Sequence, residues 1–248
     1  MRIIFFGTNG WYSSQMGNTV SILIETEDYY IILDAGDGIT KIDNYVKDLK
    51  PILILLSHIH LDHIIGLHTF AKFQFNQEIH IYGFSGTKEG IASIIQHPYS
   101  NPLVNLPLNI KFHDLKEGIH DIGFPLTCKL LIHADPCIGY RLEIENKIIT
   151  YCTDTGICQN LYELAKNADI LISECSYKSG QEVSEWPHLR PEEAAEIAVK
   201  SNVNKLFLTH FDASIYRTTQ DRKKAEEVAK KIFLNTTAAF DDLEVVIE

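Results

Sequence analysis

The chain has 248 residues, of which 45% are hydrophobic and 22% charged, and this length and composition favour one large globular domain over two full ones. They argue against a disordered chain, a collagen or a coiled coil, and no apolar run approaches the roughly 18 residues that a membrane-spanning helix needs. The net charge of −11 disfavours extended contact with the phosphates of nucleic acids.

Strand patterns dominate the first third of the chain. The charged pair Glu27-Asp28 lies where a hairpin turn would join two strands, and Pro51 ends a run with apolar residues at helical spacing. The predicted strands are Arg2–Phe6, Thr19–Glu25, Tyr29–Asp34 and Ile52–Leu56. The predicted helices are Ile39–Leu49 and residues 62 to about 73.

Residues 84–125 differ in composition from the sequence before them. Gly, Pro, Asn and Ser become frequent, as in QHPYSNPLVNLPLN, after a helical stretch around Thr87–Gln96. We interpret residues 84–125 as an insertion on the substrate side of a single domain that spans residues 1–248.

Strands and then helices follow in the rest of the chain, where Pro191 stands in the first turn of a predicted helix. The predicted strands are Leu126–His133, Gly139–Glu145, Lys147–Cys152, Ile170–Ser173, Lys205–Thr209 and Leu243–Ile247. The predicted helices are Leu161–Lys166, Pro191–Lys200 and Gln220–Phe233. Since both halves run from strands to helices, we expect an α+β fold with two face-to-face sheets and helices outside them.

The segment SHIHLDH carries the strongest chemical signal. It places His58, His60, Asp62 and His63 where a buried strand ends and a helix begins. Alternation in an extended segment aims His58 and His60 to the same side, and polar groups this close together are costly to bury without partners. Imidazole and carboxylate are ligands that suit Zn²⁺, Mn²⁺ or Fe²⁺. Because one ion cannot easily take four side chains from so short a segment, the motif predicts two metal ions.

This H-x-H-x-D-H motif resembles that of the metallo-β-lactamase superfamily, and the resemblance extends from about Met1 to Asp212. It implies a four-layer αββα sandwich with the metal site at one edge of the two sheets. In that superfamily further ligands follow later strands. The matching residues are His133 in LLIHADP, Asp154 in TYCTDTG and His210 in LFLTHFD.

The resemblance also implies how the ligands are shared between the two ions. The first ion would take three histidines, His58, His60 and His133. The second would take Asp62, His63 and His210, and Asp154 would bridge the pair. Zinc is favoured, with manganese or iron as alternatives. Asp34, in ILDAGDG, would orient the cluster by hydrogen bonding rather than bind metal.

Three later segments resemble ribonuclease Z-like phosphodiesterases of this superfamily. HADPCIGYRLE matches their H-x-x-P-x-x-G-Y-R pattern and contains Tyr140 and Arg141. We expect these two residues near the metals or the substrate. The alternative is that Tyr140 packs in the core and Arg141 pairs with an acid. ISECSY contains Glu174, expected beside the metals. The segment that leads to His210 begins with His188, whose counterpart in that branch reaches the scissile phosphate.

The resemblance therefore implies a metal-dependent hydrolase, and a phosphodiesterase for small or cyclic phosphodiesters is favoured. A hydroxide held between the metals and oriented by Asp62 would attack, and His188 would donate a proton or hydrogen bond. Processing of tRNA 3′ ends is disfavoured, because residues 84–125 have three basic residues against four acids where ribonuclease Z has a long basic arm. A thioester or lactam hydrolase with the same metals, and a metal-binding protein without turnover, are alternatives.

The cysteines and the N-terminus predict the compartment. The five cysteines form no C-x-x-C pair, and the first residues lack the basic flank and long apolar stretch of a signal peptide. We therefore expect reduced thiols and a cytoplasmic location. The expected partner is a small phosphodiester. No membrane contact is expected, nucleic acid is disfavoured but stays an alternative, and a homodimer is left open.

Overall fold

A computed structural model describes residues 1–182 and 185–247, and the chain divides into two compact units. The first unit comprises Met1–Thr8, Gly17–Leu115 and Asp241–Glu248. The second comprises Asn9–Met16 and Lys116–Phe240. Among the described residues, no helix is both long and apolar enough to cross a membrane.

The strands in chain order are β1 (Arg2–Gly7), β2 (Asn9–Gly10), β3 (Ser21–Glu25), β4 (Tyr30–Leu33), β5 (Ile52–Leu55), β6 (Glu78–Phe84), β7 (Asn109–Leu115), β8 (Gly118–Asp121), β9 (Pro125–Leu130), β10 (Ile138–Ile144), β11 (Lys147–Cys152), β12 (Ile170–Glu174), β13 (Lys205–Thr209), β14 (Phe211–Asp212), β15 (Thr236–Ala238) and β16 (Leu243–Val246). The α-helices are α1 (Leu61–Ile64), α2 (Thr87–Ile94), α3 (Gln159–Ala165), α4 (Pro191–Lys200) and α5 (Thr219–Lys230). The 3₁₀ helices are Asp37–Asn44, Ile65–Lys72 and Leu103–Asn105.

The described residues of the first unit form a mixed sheet with the strand order β16-β1-β3-β4-β5-β6-β7. Pairing is antiparallel from β16 to β4 and parallel from β4 to β7. The strand β5 has the sequence ILIL and is buried at every position, as expected for a central parallel strand. Ile54 and Ile81 of the sheet share a buried cluster with Ile39, Leu67 and Phe70 of the 3₁₀ helices.

The described residues of the second unit form a mixed sheet with the order β15-β13-β12-β11-β10-β9-β8. Here pairing is parallel from β15 to β11 and antiparallel from β11 to β8. Leu171 and Leu206 of this sheet share a buried cluster with one residue from each of the three helices, namely Leu161, Ile197 and Ala225. A short parallel pair of β2 with β14 lies next to the end of β13.

Most predicted elements occur in the structure, and three match to the residue: Lys147–Cys152, Pro191–Lys200 and Lys205–Thr209. The helix predicted at Ile39–Leu49 is instead a 3₁₀ helix that ends at Asn44. The strands β2, β6, β7, β8, β14 and β15 have no counterpart among the predicted elements. Residues 84–125 supply α2 and one of the two edge strands of each sheet, β7 and β8, and their substrate-side role stays a prediction.

Candidate metal centre

The histidine motif of the first unit forms a tight group of rings at the end of β5. The ring centroids of His58 and His60 are 4.4 Å apart, and those of His58 and His63 are 4.2 Å apart. Asp62 and His63 lie on α1, and an Asp62 carboxylate oxygen is 3.5 Å from Nε2 of His63. His58 and His63 are buried, so the motif's imidazoles lie in a largely desolvated group.

Asp34 is the residue that orders this group. Its carboxylate accepts hydrogen bonds from the Ser57 amide at 2.7 Å and the Ser57 hydroxyl at 2.8 Å. It also lies 2.8 Å from Nδ1 of His63. Because the carboxylate holds the proton of His63 on Nδ1, the Nε2 lone pair remains available to a metal. The Ser57 hydroxyl is 3.0 Å from Nδ1 of His58 and orients that ring in the same way.

We expect Asp34→Ala to weaken metal binding or turnover by about 10–100-fold, as removal of such an orienting group does elsewhere. Asp34 has a φ of +57°, so alanine also introduces backbone strain. Asp34→Asn tolerates this φ and separates the two effects. The measurement is a metal competition titration, with the exposed Asp28→Ala as the matched control. If Asp34→Asn, Asp34→Ala and the parent protein bind metal with equal affinity, Asp34 does not orient the metal ligands.

The second unit brings Asp154 between two histidines. One Asp154 oxygen is 3.1 Å from Nε2 of His210, and the other is 3.7 Å from Nε2 of His133. All three residues lie just after strands of the sheet or in the following loop, as predicted. His133 follows the end of β9 by three residues, because that strand ends at Leu130 rather than at His133. Asp154 thus directs its two oxygens to two different imidazoles.

The backbone at these positions adopts an uncommon conformation. Asp34, Asp154 and His210 have φ values of +57°, +47° and +51°. Such left-handed conformations cost free energy in residues with a Cβ and concentrate at functional sites. Gly10 lies against the imidazole of His210, where a Cβ would come within 2.6 Å of a ring atom. Position 10 therefore requires glycine, because any larger residue would collide with the His210 ring.

His188 is paired with the buried carboxylate of Glu174, 14 residues earlier. Nδ1 of His188 lies 2.9 and 3.1 Å from the two Glu174 oxygens. Glu174 also accepts hydrogen bonds from the backbone amides of Thr155, Ser176 and Leu189, so both of its oxygens are held by the backbone as well as by His188.

The surroundings of His188 favour its charged form. Burial opposes that charge, but Glu174, with smaller contributions from Asp154 and Asp212, raises the pKa of His188 to about 9. A nitrogen of His188 also lies within 4.8 Å of ligand atoms of Asp154 and His210. The pair therefore presents a proton-bearing imidazole to the group around Asp154.

Ser57 and Ser176 are functional candidates that the sequence did not reveal. The Ser176 hydroxyl donates to the His210 carbonyl at 2.9 Å and lies 3.0 Å from Nδ1 of His210. It can accept a hydrogen bond from the Nδ1–H group and leave Nε2 for a metal, as Ser57 does for His58. Both serines lie close to predicted site residues, in the segments SHIHLDH and ECSY. The sequence does not show which histidine each serine contacts, so their role could not be predicted from it.

Tyr140 and Arg141 have structural contacts. Tyr140 is fully buried in β10. Arg141 donates to the carbonyls of Leu164 and Lys166 at 3.0 and 2.7 Å, and its Nε contacts Glu143 at 2.9 Å. Arg141 thereby satisfies carbonyls at the C-terminal end of α3. The burial of Tyr140 and the pairing of Arg141 with Glu143 match the structural alternative, and a role for either residue near the metals or the substrate stays a prediction.

The donor set fits divalent transition metals. His58, His63 and His210 each have Nδ1 beside a serine hydroxyl or a carboxylate, which is the usual second contact of a metal-binding histidine. Imidazole nitrogens with aspartate oxygens match Zn²⁺, Mn²⁺ or Fe²⁺ rather than the all-oxygen sites of Ca²⁺. The residues therefore suit metal binding in each unit.

Comparisons with known proteins agree with this chemistry. The model of the Beta-lactamase superfamily domain matches residues 29–211. Ribonuclease Z of Bacillus velezensis is 24% identical over an alignment of 311 residues that covers 100% of this chain and 99% of that protein. The crystal structure of the metallo-β-lactamase fold protein YhfI from Bacillus subtilis has a TM-score of 0.81 at 22% identity, with 98% of each chain covered. A diphosphatase of the PhnP family has a TM-score of 0.75 at 15% identity, with 100% of this chain and 98% of that chain covered.

The chain therefore belongs to the β-lactamase superfamily of metallo-hydrolases. Its fold class is the αββα sandwich of that superfamily, which confirms the predicted fold. The predicted resemblance to ribonuclease Z-like members is also confirmed. Membership implies divalent metal ions at the site.

Proposed function

We propose that this protein is a dinuclear metal-dependent phosphodiesterase that acts on small or cyclic phosphodiesters. The observation that carries the proposal is the His188–Glu174 pair beside Asp154 and His210, because a proton-bearing imidazole there could donate to a phosphoryl or leaving oxygen. The fold also occurs in a diphosphatase of the PhnP family, so it is compatible with a substrate that carries phosphorus.

We assign the metal ligands as the superfamily's motif order implies. The first ion would be held by His58, His60 and His133, and the second by Asp62, His63 and His210. Asp154 would contact both, in keeping with its two oxygens directed at different imidazoles. Zinc suits this set best, with manganese or iron as alternatives. Bound ions would lower the pKa of a coordinated water toward about 7 and neutralise charge on the phosphoryl group.

The protein's own residues supply orientation and a proton. Asp62, in the first turn of α1, would orient the attacking water through its carboxylate. His188 would donate a hydrogen bond or proton to the phosphoryl or leaving oxygen, with Glu174 fixing its tautomer and ring. Ser57, Ser176 and Asp34 would keep the ligand histidines in place.

Processing of tRNA 3′ ends is the second candidate, because a curated relative that covers the whole chain is a ribonuclease Z. Two observations favour the small substrate. The alignment with the Bacillus velezensis ribonuclease Z spans 311 residues, whereas this chain has 248. The ribonuclease Z therefore contains segments that have no counterpart in this chain. The net charge of −11 also opposes binding of a polyanion.

The test combines elemental analysis with a substrate panel. We expect close to two transition-metal equivalents per chain after reconstitution, and hydrolysis of bis-p-nitrophenyl phosphate well above that of a thioester or a lactam. We expect little binding of precursor tRNA. Metal near zero after reconstitution would overturn the ligand assignment. Specific tRNA 3′-end cleavage at low enzyme concentration would favour the second candidate, and full metal without hydrolysis of any ester would indicate a binding protein.

A further inference from the structure

Two histidines outside the candidate metal centre lie side by side on neighbouring strands of the first unit. His80 is on β6, and His113 is on the edge strand β7, two residues beyond the register partner of His80. Nδ1 of His80 is 2.9 Å from Nε2 of His113. Both residues are partly exposed, so the pair is open to small ions in the surrounding water.

Glu78 fixes which nitrogen of His80 carries its proton. One Glu78 oxygen is 3.1 Å from Nε2 of His80, and the other accepts a hydrogen bond from Lys111. The hydrogen bonds from Lys111 and His80 lower the pKa of Glu78 and keep it charged. Because a carboxylate can only accept, Nε2 of His80 carries the proton and the Nδ1 lone pair is directed at His113. A carboxylate on the far nitrogen is the usual outer contact of a metal-binding histidine.

His113 is held in the neutral form that a metal ligand requires. Burial, His80 and Lys111 all lower its pKa. The Nε2–H group of the neutral ring donates to Nδ1 of His80. If that proton moves to Nδ1 of His113, each ring has a lone pair facing the other. An ion can therefore take the place of the shared proton without a net loss of protons from the pair.

The rings around the pair limit where the two imidazoles can lie. The ring planes of His80 and His113 are inclined by 20°, with centroids 5.1 Å apart. The buried Tyr82 ring lies along His113, with centroids 4.5 Å apart and planes inclined by 18°. Both imidazoles are thus held on one face of the sheet at short spacing, which lowers the entropy that is lost when an ion joins them.

The spacing of the two nitrogens favours a particular type of ion. Metal–imidazole bonds are about 2.0–2.1 Å long, so an ion bound to two nitrogens that are 2.9 Å apart meets them at an angle of about 90°. Both rings then turn so that their lone pairs point at the ion instead of at each other. That angle suits a tetragonal ion such as Cu²⁺ or Ni²⁺. Tetrahedral zinc needs a wider angle and further protein ligands.

We propose that His80 and His113 together bind one divalent transition-metal ion of tetragonal or octahedral geometry, with Glu78 as the orienting contact of His80 and water in the remaining positions. The site uses none of the residues assigned to the candidate metal centre, and it does not depend on the proposed function. The ion would join β6 to β7, which within the described residues ends its sheet. Binding would therefore fasten the edge strand to its neighbour.

The first test counts ions in protein whose candidate metal centre has been filled with zinc. We expect a calorimetric titration with Ni²⁺ to show one further equivalent, and His80→Gln and His113→Gln each to lose it. His120→Gln, which replaces a histidine of β8, is the matched control and should keep it. With Cu²⁺ in place of Ni²⁺, the electron paramagnetic resonance spectrum of the parent protein should contain a nitrogen-coupled signal that both variants lack.

Glu78→Gln tests the orienting contact. Glutamine carries no charge and accepts through only one oxygen, so we expect the Ni²⁺ affinity to fall by about 10–100-fold while the stoichiometry stays the same. Glu89→Gln replaces an exposed carboxylate on α2 and should bind Ni²⁺ as the parent does. Unchanged affinity in Glu78→Gln would contradict the role that the proposal gives to this residue.

Hydrogen exchange tests whether the ion joins the two strands. Amides of residues 109–115 that exchange through opening of the edge should exchange about 100-fold more slowly when free Ni²⁺ is about 100 times its Kd. His113→Gln should show no slowing. Slowing that is absent from the parent protein, or that is equal in His113→Gln, would contradict the link between β6 and β7.

The outcomes keep this inference apart from the proposed function. A parent protein without the further equivalent, or variants that both retain it, would overturn the site. His80→Gln and His113→Gln should hydrolyse bis-p-nitrophenyl phosphate at the parent rate, because neither residue belongs to the candidate metal centre. If the parent protein hydrolyses no phosphodiester, the proposed function falls, and the difference in Ni²⁺ binding between parent and variants still decides the second site.

Discussion

Replacement of Asp154 by alanine is expected to abolish phosphodiester hydrolysis and to lower the bound metal from about two equivalents to one or fewer. Asp154 is buried, and its two oxygens are directed at His210 and His133. In our assignment it is the ligand common to both ions, so its loss opens both coordination shells at once. The measurements are elemental analysis and turnover of bis-p-nitrophenyl phosphate.

Asp154→Asn distinguishes the effect of losing the carboxylate charge from the effect of backbone strain. Asp154 has a φ of +47°, and alanine there is strained by about 1–2 kcal/mol, whereas asparagine accepts it. We expect both variants to lose metal and turnover but only alanine to lower the Tm appreciably. Asp121→Ala, at an exposed turn, should keep both metals. Full metal and activity in Asp154→Asn would show that another residue joins the ions.

His188→Ala is expected to keep its metals and fold but to lose roughly 10²–10⁴-fold in turnover on a phosphodiester with a poor leaving group. The seven assigned ligands do not include His188, and its Nδ1 is engaged by Glu174. A donor matters less when the leaving group needs little protonation, so the loss should shrink with p-nitrophenolate. The measurement is a comparison of kcat for alkyl and p-nitrophenyl esters at saturating metal.

Glu174→Gln provides the matched variant for His188. Glutamine keeps only one of the two oxygens that accept from the backbone amides, and it removes the charge that raises the pKa of His188. We therefore expect an intermediate loss with the same dependence on the leaving group. His68→Ala, an exposed histidine, is the control and should match the parent. Metal loss in His188→Ala would make this residue a ligand, and equal loss on both esters would exclude a donor role.

Many of the strands and helices could be predicted from the local pattern of apolar and polar residues. The continuous apolar runs before His58, Asp154 and His210 predict buried strands that end at polar residues, and the structure has β5, β11 and β13 there. Edge strands were harder to predict. The strand β7 alternates at Ile110 and Phe112, but the Pro- and Asn-rich sequence before it favours a loop, and only pairing with β6 makes it a strand.

Short motifs at strand ends were enough to predict the superfamily, the order of the candidate ligands and the residue types that metals prefer. The groups that orient these ligands became known only from the folded chain. The contacts of Ser57 with His58 and of Ser176 with His210 involve serines that the sequence did not single out. Glu174 and His188 were both singled out, but their pairing was not predicted. The same holds for Gly10 against His210, which is 200 residues away in sequence. Such pairings depend on how strands align in a sheet, and that alignment is set by the packing of the whole unit rather than by any local segment.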